Sequence, residues 1–161
     1  MAGIERHKNL TEAKKYYGEA YEHAQKNKNP EAYYPAGNWA ACYILSGGGG
    51  GEKGKAMLSE RVTVIKNAAA QAIDFWGRVA GPDAALIEFL LSAELADKNR
   101  QQEIVAQYKK AFDSGSTPKQ KDSVYKQFDF MISVLSDKKR DKKNNWLEVV
   151  KILTSIKRAL L

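Results

Sequence analysis

The chain has 161 residues, of which 43% are hydrophobic, and 26 Lys or Arg against 19 Asp or Glu give a formal net charge of +7. This length suffices for one domain with a core, while no segment approaches the ~20 apolar residues of a membrane span, and residues 1–6 lack the apolar segment of a signal peptide. A single cysteine, Cys42, excludes an internal disulfide and favours a cytoplasmic location.

The N-terminal part predicts two helices joined through a proline turn. Apolar residues three and four apart predict a helix over 11–27 with Thr11 as its N-cap. A second helix is predicted over 31–46, with Pro35 in its first turn, where the missing N–H costs nothing. Residues 47–51 are consecutive glycines, which favour a loose turn, since the sequence that a phosphate-binding loop requires does not follow them.

The middle of the chain predicts a long helix and then a broken one. The apolar stripe over 52–73 predicts the third helix, and Asp74 is positioned to cap the next. Because proline disfavours helical backbone before it, Gly81-Pro82 is predicted to interrupt that helix. Asp83 is then expected to cap its continuation.

The clearest boundary of the sequence follows the next helix, which begins after the polar turn 97–100. Gly115 suits the end of a helix, Thr117 suits an N-cap, and Pro118 suits a first helical position. These residues predict that one helix ends and another begins within 113–118.

The C-terminal part predicts two further amphipathic helices, separated by a charged loop over 137–145. The last helix, over about 146–160, is expected to pack on the helix of Val124, Phe128 and Ile132 and to cap the array. No segment alternates with period two, so the fold predicted is all-α with about seven helices.

The residues that would carry catalysis are scarce. His7 and His23 are the two histidines, and neither forms metal-ligand spacing with Cys42, which is expected to be a buried core residue. The sequence contains no nucleophile-elbow or phosphate-loop motif. We therefore predict no catalytic, cofactor-binding or metal site, and no enzyme activity.

A cluster of basic residues occupies the charged loop. Its members are Lys138, Lys139, Arg140, Lys142 and Lys143. Three interpretations stay open: a solvated loop, a patch for an acidic protein partner, or phosphate contacts with nucleic acid. Nucleic acid is the weakest of them, because base recognition usually adds exposed aromatic rings or a recognition helix.

Recurring residues carry a resemblance to a known family. Aromatic-x-x-Ala phrases followed by proline occur at Tyr21, Ala24 and Pro30, and at Tyr108, Ala111 and Pro118. A ladder of small and aromatic residues consists of Asn38, Trp39, Ala40, Tyr43, Gly47 and Ala56. Together they resemble the tetratricopeptide repeat family, best over residues 11–60. The later part is more loosely similar to the irregular repeats of bacterial multidomain signalling proteins and of proteins with caspase-like peptidases.

The resemblance implies both an architecture and a function. It implies antiparallel helical hairpins stacked as a short right-handed superhelix, with 1–161 as a single domain that acts as a non-enzymatic scaffold. A peptide or partner helix would lie in the concave groove. Tyr34, Asn38 and Ala41 lie where the first helix of a repeat faces that groove, and Trp76 is a further candidate. The alternative is a helical nucleic-acid-binding protein that uses the basic loop at 138–143.

Overall fold

The computed structural model describes residues 4–137 and 145–161, and within these ranges it is all-helical, without strands. The helices are α1 (Leu10–Lys26), α2 (Tyr33–Leu45), α3 (Gly51–Ala70), α4 (Phe75–Leu91), α5 (Lys98–Asp113), α6 (Pro118–Asp137) and α7 (Trp146–Leu160). Short 3-10 turns at Ile4–Arg6 and Pro30–Ala32 precede α1 and α2. The prediction of an all-α fold with about seven helices is confirmed.

Side-chain caps fix where several helices begin. Asn9 caps α1, because its Oδ1 accepts the Glu12 N–H at 2.8 Å. Thr11, the predicted N-cap, lies inside the first turn of α1, so that prediction is wrong by two residues. Asp74 caps α4 as predicted and accepts the Gly77 N–H at 2.7 Å.

The boundary between α5 and α6 forms as the sequence predicts. Gly115 has a φ of +113°, a left-handed conformation that disfavours side chains with a Cβ. Thr117 Oγ1 accepts the Gln120 N–H at 3.2 Å, while Gln120 Oε1 accepts the Thr117 N–H at 2.8 Å. This reciprocal capping box stabilises the start of α6 at Pro118.

Helix α4 corrects the prediction of a broken helix. It continues through Gly81 and Pro82 without interruption, and Asp83 lies buried in its middle instead of capping a new segment. Proline inside a helix costs about 3 kcal/mol. Here that cost is outweighed because α4 is buried along most of its length between other helices, and packing overrides local propensity.

Consecutive helices pack side by side through α5. Helix α1 packs on α2, α2 on α3, α3 on α4, and α4 on α5, and α2 also contacts α4. The order then changes, since α7 packs on both α6 and α5, and α6 also contacts α2. The handedness of a superhelix stays a prediction.

The packing of α7 on α6 agrees with the prediction for the C-terminal helix. Tyr125 Oη of α6 donates to the Leu160 carbonyl at 3.2 Å, and Lys157 Nζ pairs with Asp129 at 2.5 Å. Phe128 and Leu153 are both fully buried.

Candidate functional site

Helix α4 presents different residues to clefts on its two sides. One set faces a cleft shared with α1, α2, α3 and α6 and consists of Trp76, Val79, Ala80 and Asp83. The other faces a cleft between α3 and α5 and consists of Arg78, Gly81, Pro82 and Ala85. Each set repeats at the i, i+3, i+4, i+7 spacing of a single helix face. The two sets are offset by two residues, about 200° around the helix, so they occupy opposite faces.

The first cleft, termed here the aromatic cleft, has a volume of about 630 Å³ and is lined by the rings of Tyr33, Tyr34 and Trp76. Tyr34 is 46% exposed and Trp76 is 39% exposed, although most large apolar side chains of the chain are buried. Tyr and Trp, together with Arg, are enriched at the energetic centre of protein interfaces.

The charge of the aromatic cleft differs from that of the chain as a whole. Glu31 and Asp83 supply carboxylates to its wall, and none of its described lining residues is a lysine or an arginine. The pKa of Tyr33 is raised by burial and, in addition, by the carboxylates of Asp74 and Glu31. The carboxylates of Asp74 and Glu31 therefore place negative charge beside this cleft in a protein whose net charge is +7.

Asp83 lies on the wall of the aromatic cleft and is bonded to α5. Tyr108 Oη donates to Asp83 Oδ1 at 2.5 Å, and both side chains are buried. Burial raises the pKa of Asp83 against the opposing effect of this hydrogen bond. Burial also raises the pKa of Tyr108 well above its ordinary value, and Asp83 adds to that shift. Burial thus shifts the equilibrium of Asp83 toward the protonated carboxyl, and a nearby cation would shift it back toward the carboxylate.

The structure separates the four residues that were predicted to bind a partner. Tyr34 and Trp76 line the aromatic cleft. Asn38 and Ala41 are both 0% exposed, so a partner does not reach them in this structure. Helix α6 packs on α2, and its Phe130 lines a small cavity together with Ala41. No local sequence pattern indicated that a helix so far along the chain would contact α2.

The predicted basic patch lies outside the described residues. This applies to Lys138, Lys139, Arg140, Lys142 and Lys143 alike. Their interpretation as a solvated loop, an acidic-partner patch or a nucleic-acid contact stays as the sequence left it.

The second cleft, termed here the basic cleft, has a volume of about 500 Å³ and was not predicted. Four cationic side chains line it: Lys66, Arg78, Arg100 and Lys110. They come from three different helices, so no local sequence motif indicates that they share a cleft. Its described lining residues include neither Asp nor Glu.

Two features of the described residues bear on catalysis and metal binding, namely the burial of Cys42 and the spacing of possible metal ligands. Burial raises the pKa of the Cys42 thiol to about 11, so the reactive thiolate is disfavoured near neutral pH. Within 4–137 and 145–161, no three His, Cys, Asp or Glu side chains are grouped as metal ligands would be. Across the same ranges, no helix has the length and apolarity required to cross a bilayer.

Comparisons with models of protein families, with curated proteins and with solved structures found no match to this chain. Function is therefore inferred from the geometry and charge of the two clefts.

Proposed function

We propose that this protein is a helical protein-interaction module without catalytic activity, and that its aromatic cleft binds a partner segment carrying one Lys or Arg among apolar residues. The observation that carries this proposal is the pairing of half-exposed Tyr34 and Trp76 with the carboxyl groups of Glu31 and Asp83, in a cleft whose described lining lacks Lys and Arg.

The rings account for the apolar part of the recognition. Burying the exposed parts of Tyr34 and Trp76 removes apolar surface from water, at about 25 cal/mol per Å². Their faces also attract a cation, with an energy of about 0.5–2 kcal/mol that increases as the cation is desolvated. A segment with apolar residues around one cation uses both effects.

The carboxyl groups account for the charge selectivity. A Lys or Arg in the cleft would interact with Glu31 and would favour the ionised form of Asp83. An acidic side chain at the same place would meet like charge, which provides selectivity against the wrong partner. The remaining surface of this basic protein offers a cationic segment less favourable sites.

The packing of the first helices supports a repeat-like scaffold. Helix α2 packs both on α3 and on α4, as the first helix of one pair does when pairs are stacked. Membership of the tetratricopeptide repeat family and a concave superhelix remain part of this proposal.

A matched pair of peptides tests the proposal. The first is a fluorescein-labelled, alanine-based helical peptide with two leucines and an arginine on one face, and the second has glutamate in place of the arginine. Fluorescence anisotropy should show binding of the arginine peptide only. Binding should also shift the indole N–H signal of Trp76 in NMR spectra, assigned with Trp76→Phe.

The control is a matched truncation of an exposed apolar side chain outside the cleft. Trp76→Ala should weaken binding of the arginine peptide about 30-fold, which corresponds to a hot spot of about 2 kcal/mol. Leu147→Ala, at a 56% exposed position of α7, should leave the affinity unchanged. The proposal fails if neither peptide binds, or if both variants weaken binding equally.

A further inference from the structure

We propose that the basic cleft is a second binding site, which receives an acidic segment of a protein partner through its Asp or Glu carboxylates. This inference does not depend on the function proposed for the aromatic cleft, because the two sites lie on opposite faces of α4.

Arg78 is the fixed element of the basic cleft. Its Nη1 donates to the Ile73 carbonyl at 2.7 Å, and its Nη2 donates to the Gly115 carbonyl at 2.9 Å. These bonds hold the guanidinium between the start of α4 and the end of α5. A guanidinium has five N–H donors, so others remain for a carboxylate. Because the group is already positioned, binding costs little side-chain entropy.

The four cations of the basic cleft differ in whether a carboxylate of this protein pairs with them. Lys66 pairs with Glu88 at 2.5 Å, and Arg100 pairs with Glu103 at 3.4 Å. Neither glutamate lines the cleft, so these pairs hold the two cations in place without filling it. Among the described residues, no carboxylate lies within ion-pair distance of Arg78 or Lys110.

The floor of the cleft is made of small residues, so a partner chain can approach closely. Ala69, Gly81 and Ala85 lie there. A Cβ added to Gly81 would lie 3.3 Å from the Ala69 Cβ, which shows how closely α3 and α4 approach. Long cationic side chains around a floor of small residues form a shallow cleft with charge at its edge.

The surroundings lack features typical of phosphate and nucleic-acid sites. The helix ends that line the cleft are both C-terminal, Ala70 of α3 and Ser114 after α5, and their partial negative charge weakens the attraction for any anion. Phosphate groups are typically bound at helix N-termini instead. None of the described lining residues is aromatic, so the cleft offers no ring for a nucleobase to stack on.

Fluorescence anisotropy with a fluorescein-labelled, glutamate-rich peptide tests this site, and the control peptide has glutamine at every glutamate position. The glutamate peptide should bind, and its affinity should fall with added salt. Lys110→Glu should weaken binding at least about tenfold. Lys15→Glu makes the same change in net charge on α1, away from the cleft, and should weaken binding less than about twofold.

Further variants and competitors distinguish this site from the aromatic cleft, and an acidic peptide from phosphate or DNA as its ligand. Trp76→Ala should leave binding of the glutamate peptide unchanged, whereas Arg78→Lys, which retains the charge but not the planar fork, should weaken it several-fold. Equal losses for Lys110→Glu and Lys15→Glu would overturn the proposal, since only general charge attraction would remain. Displacement of the peptide by equimolar inorganic phosphate, or tighter Lys110-dependent binding of a DNA duplex, would also overturn it.

Discussion

The two clefts beside α4 differ in both their floors and their charges, although one helix lines both. In the aromatic cleft, Gly37 has open space next to it, since an added Cβ would contact nothing within 4 Å. In the basic cleft, Gly81 lies against Ala69 of α3. Two sets of α4 residues, offset by two positions along the helix, therefore line clefts of different kinds. One is bounded by aromatic rings and the other by cations.

Their charges also have different origins. The carboxyl of Asp83 is buried and bonded to Tyr108, so its charge depends on what enters the aromatic cleft. Lys110 is exposed, so dissolved salt screens its charge. We therefore expect the aromatic cleft to respond to pH and the basic cleft to respond mainly to salt.

The largest change in the free energy of unfolding is expected from placing a large side chain in the floor of the basic cleft. Gly81→Leu should lower the free energy of unfolding by about 1–3 kcal/mol, because the side chain forces α3 and α4 apart. Gly37→Ala is the control and should be neutral or stabilising by up to about 1 kcal/mol, because its Cβ enters open space. Urea denaturation measures both variants. Similar losses of stability in the two variants would show that both glycines are equally closely packed, and the two clefts would then not differ in this respect.

A smaller loss is expected from removing the hydrogen bond to Asp83. Tyr108→Phe leaves the buried carboxyl without its donor and should cost about 1–2 kcal/mol. Tyr125→Phe is a matched control, since it removes a hydroxyl that donates to a helix-end carbonyl at 3.2 Å, and it should cost less. An equal cost for the two variants, measured by thermal and urea unfolding, would mean that the buried hydrogen bond to Asp83 stabilises the protein no more than the partly exposed one of Tyr125.

The third expectation concerns the pH dependence caused by Asp83. Its pKa is raised in the folded protein above the ordinary value of 3.8, so the folded state holds this proton more tightly than the unfolded chain does. The resulting stabilisation is present below pH 3.8 and is lost as pH rises through the folded pKa. Asp83→Asn should therefore gain stability relative to the wild type as pH rises above 3.8, by at most about 1.4 kcal/mol per pH unit. A constant difference between the two curves would contradict this assignment.

The smallest effect is expected at Lys110. This exposed lysine lies in the last turn of α5, where a cation interacts favourably with the helix dipole. Lys110→Ala should nevertheless change the free energy of unfolding by less than about 0.5 kcal/mol at physiological salt. A larger loss, measured by urea denaturation, would show that this lysine stabilises α5 and would weaken its assignment to a binding site.

The sequence determined where most helices lie, because caps and apolar spacing act within a few residues. Thr117 and Pro118 start α6 as predicted, and the last helix begins at Trp146 as predicted. Local signals were insufficient at Pro82 and Asp83, since burial on several sides keeps α4 helical there. Thr11 was also given a capping role that Asn9 performs.

The candidate sites depended far more on tertiary structure. Tyr34 was predicted to face a groove, and it is 46% exposed and lines the aromatic cleft. Whether Asn38 and Ala41 would be accessible depended on tertiary packing, since α2 lies among α1, α3 and α4 and also contacts α6, and both side chains are fully buried. The basic cleft combines cations from three helices that meet only after packing. Helix ends are set mostly by neighbours in sequence, whereas a cleft and its charge are set by which helix faces become neighbours in space.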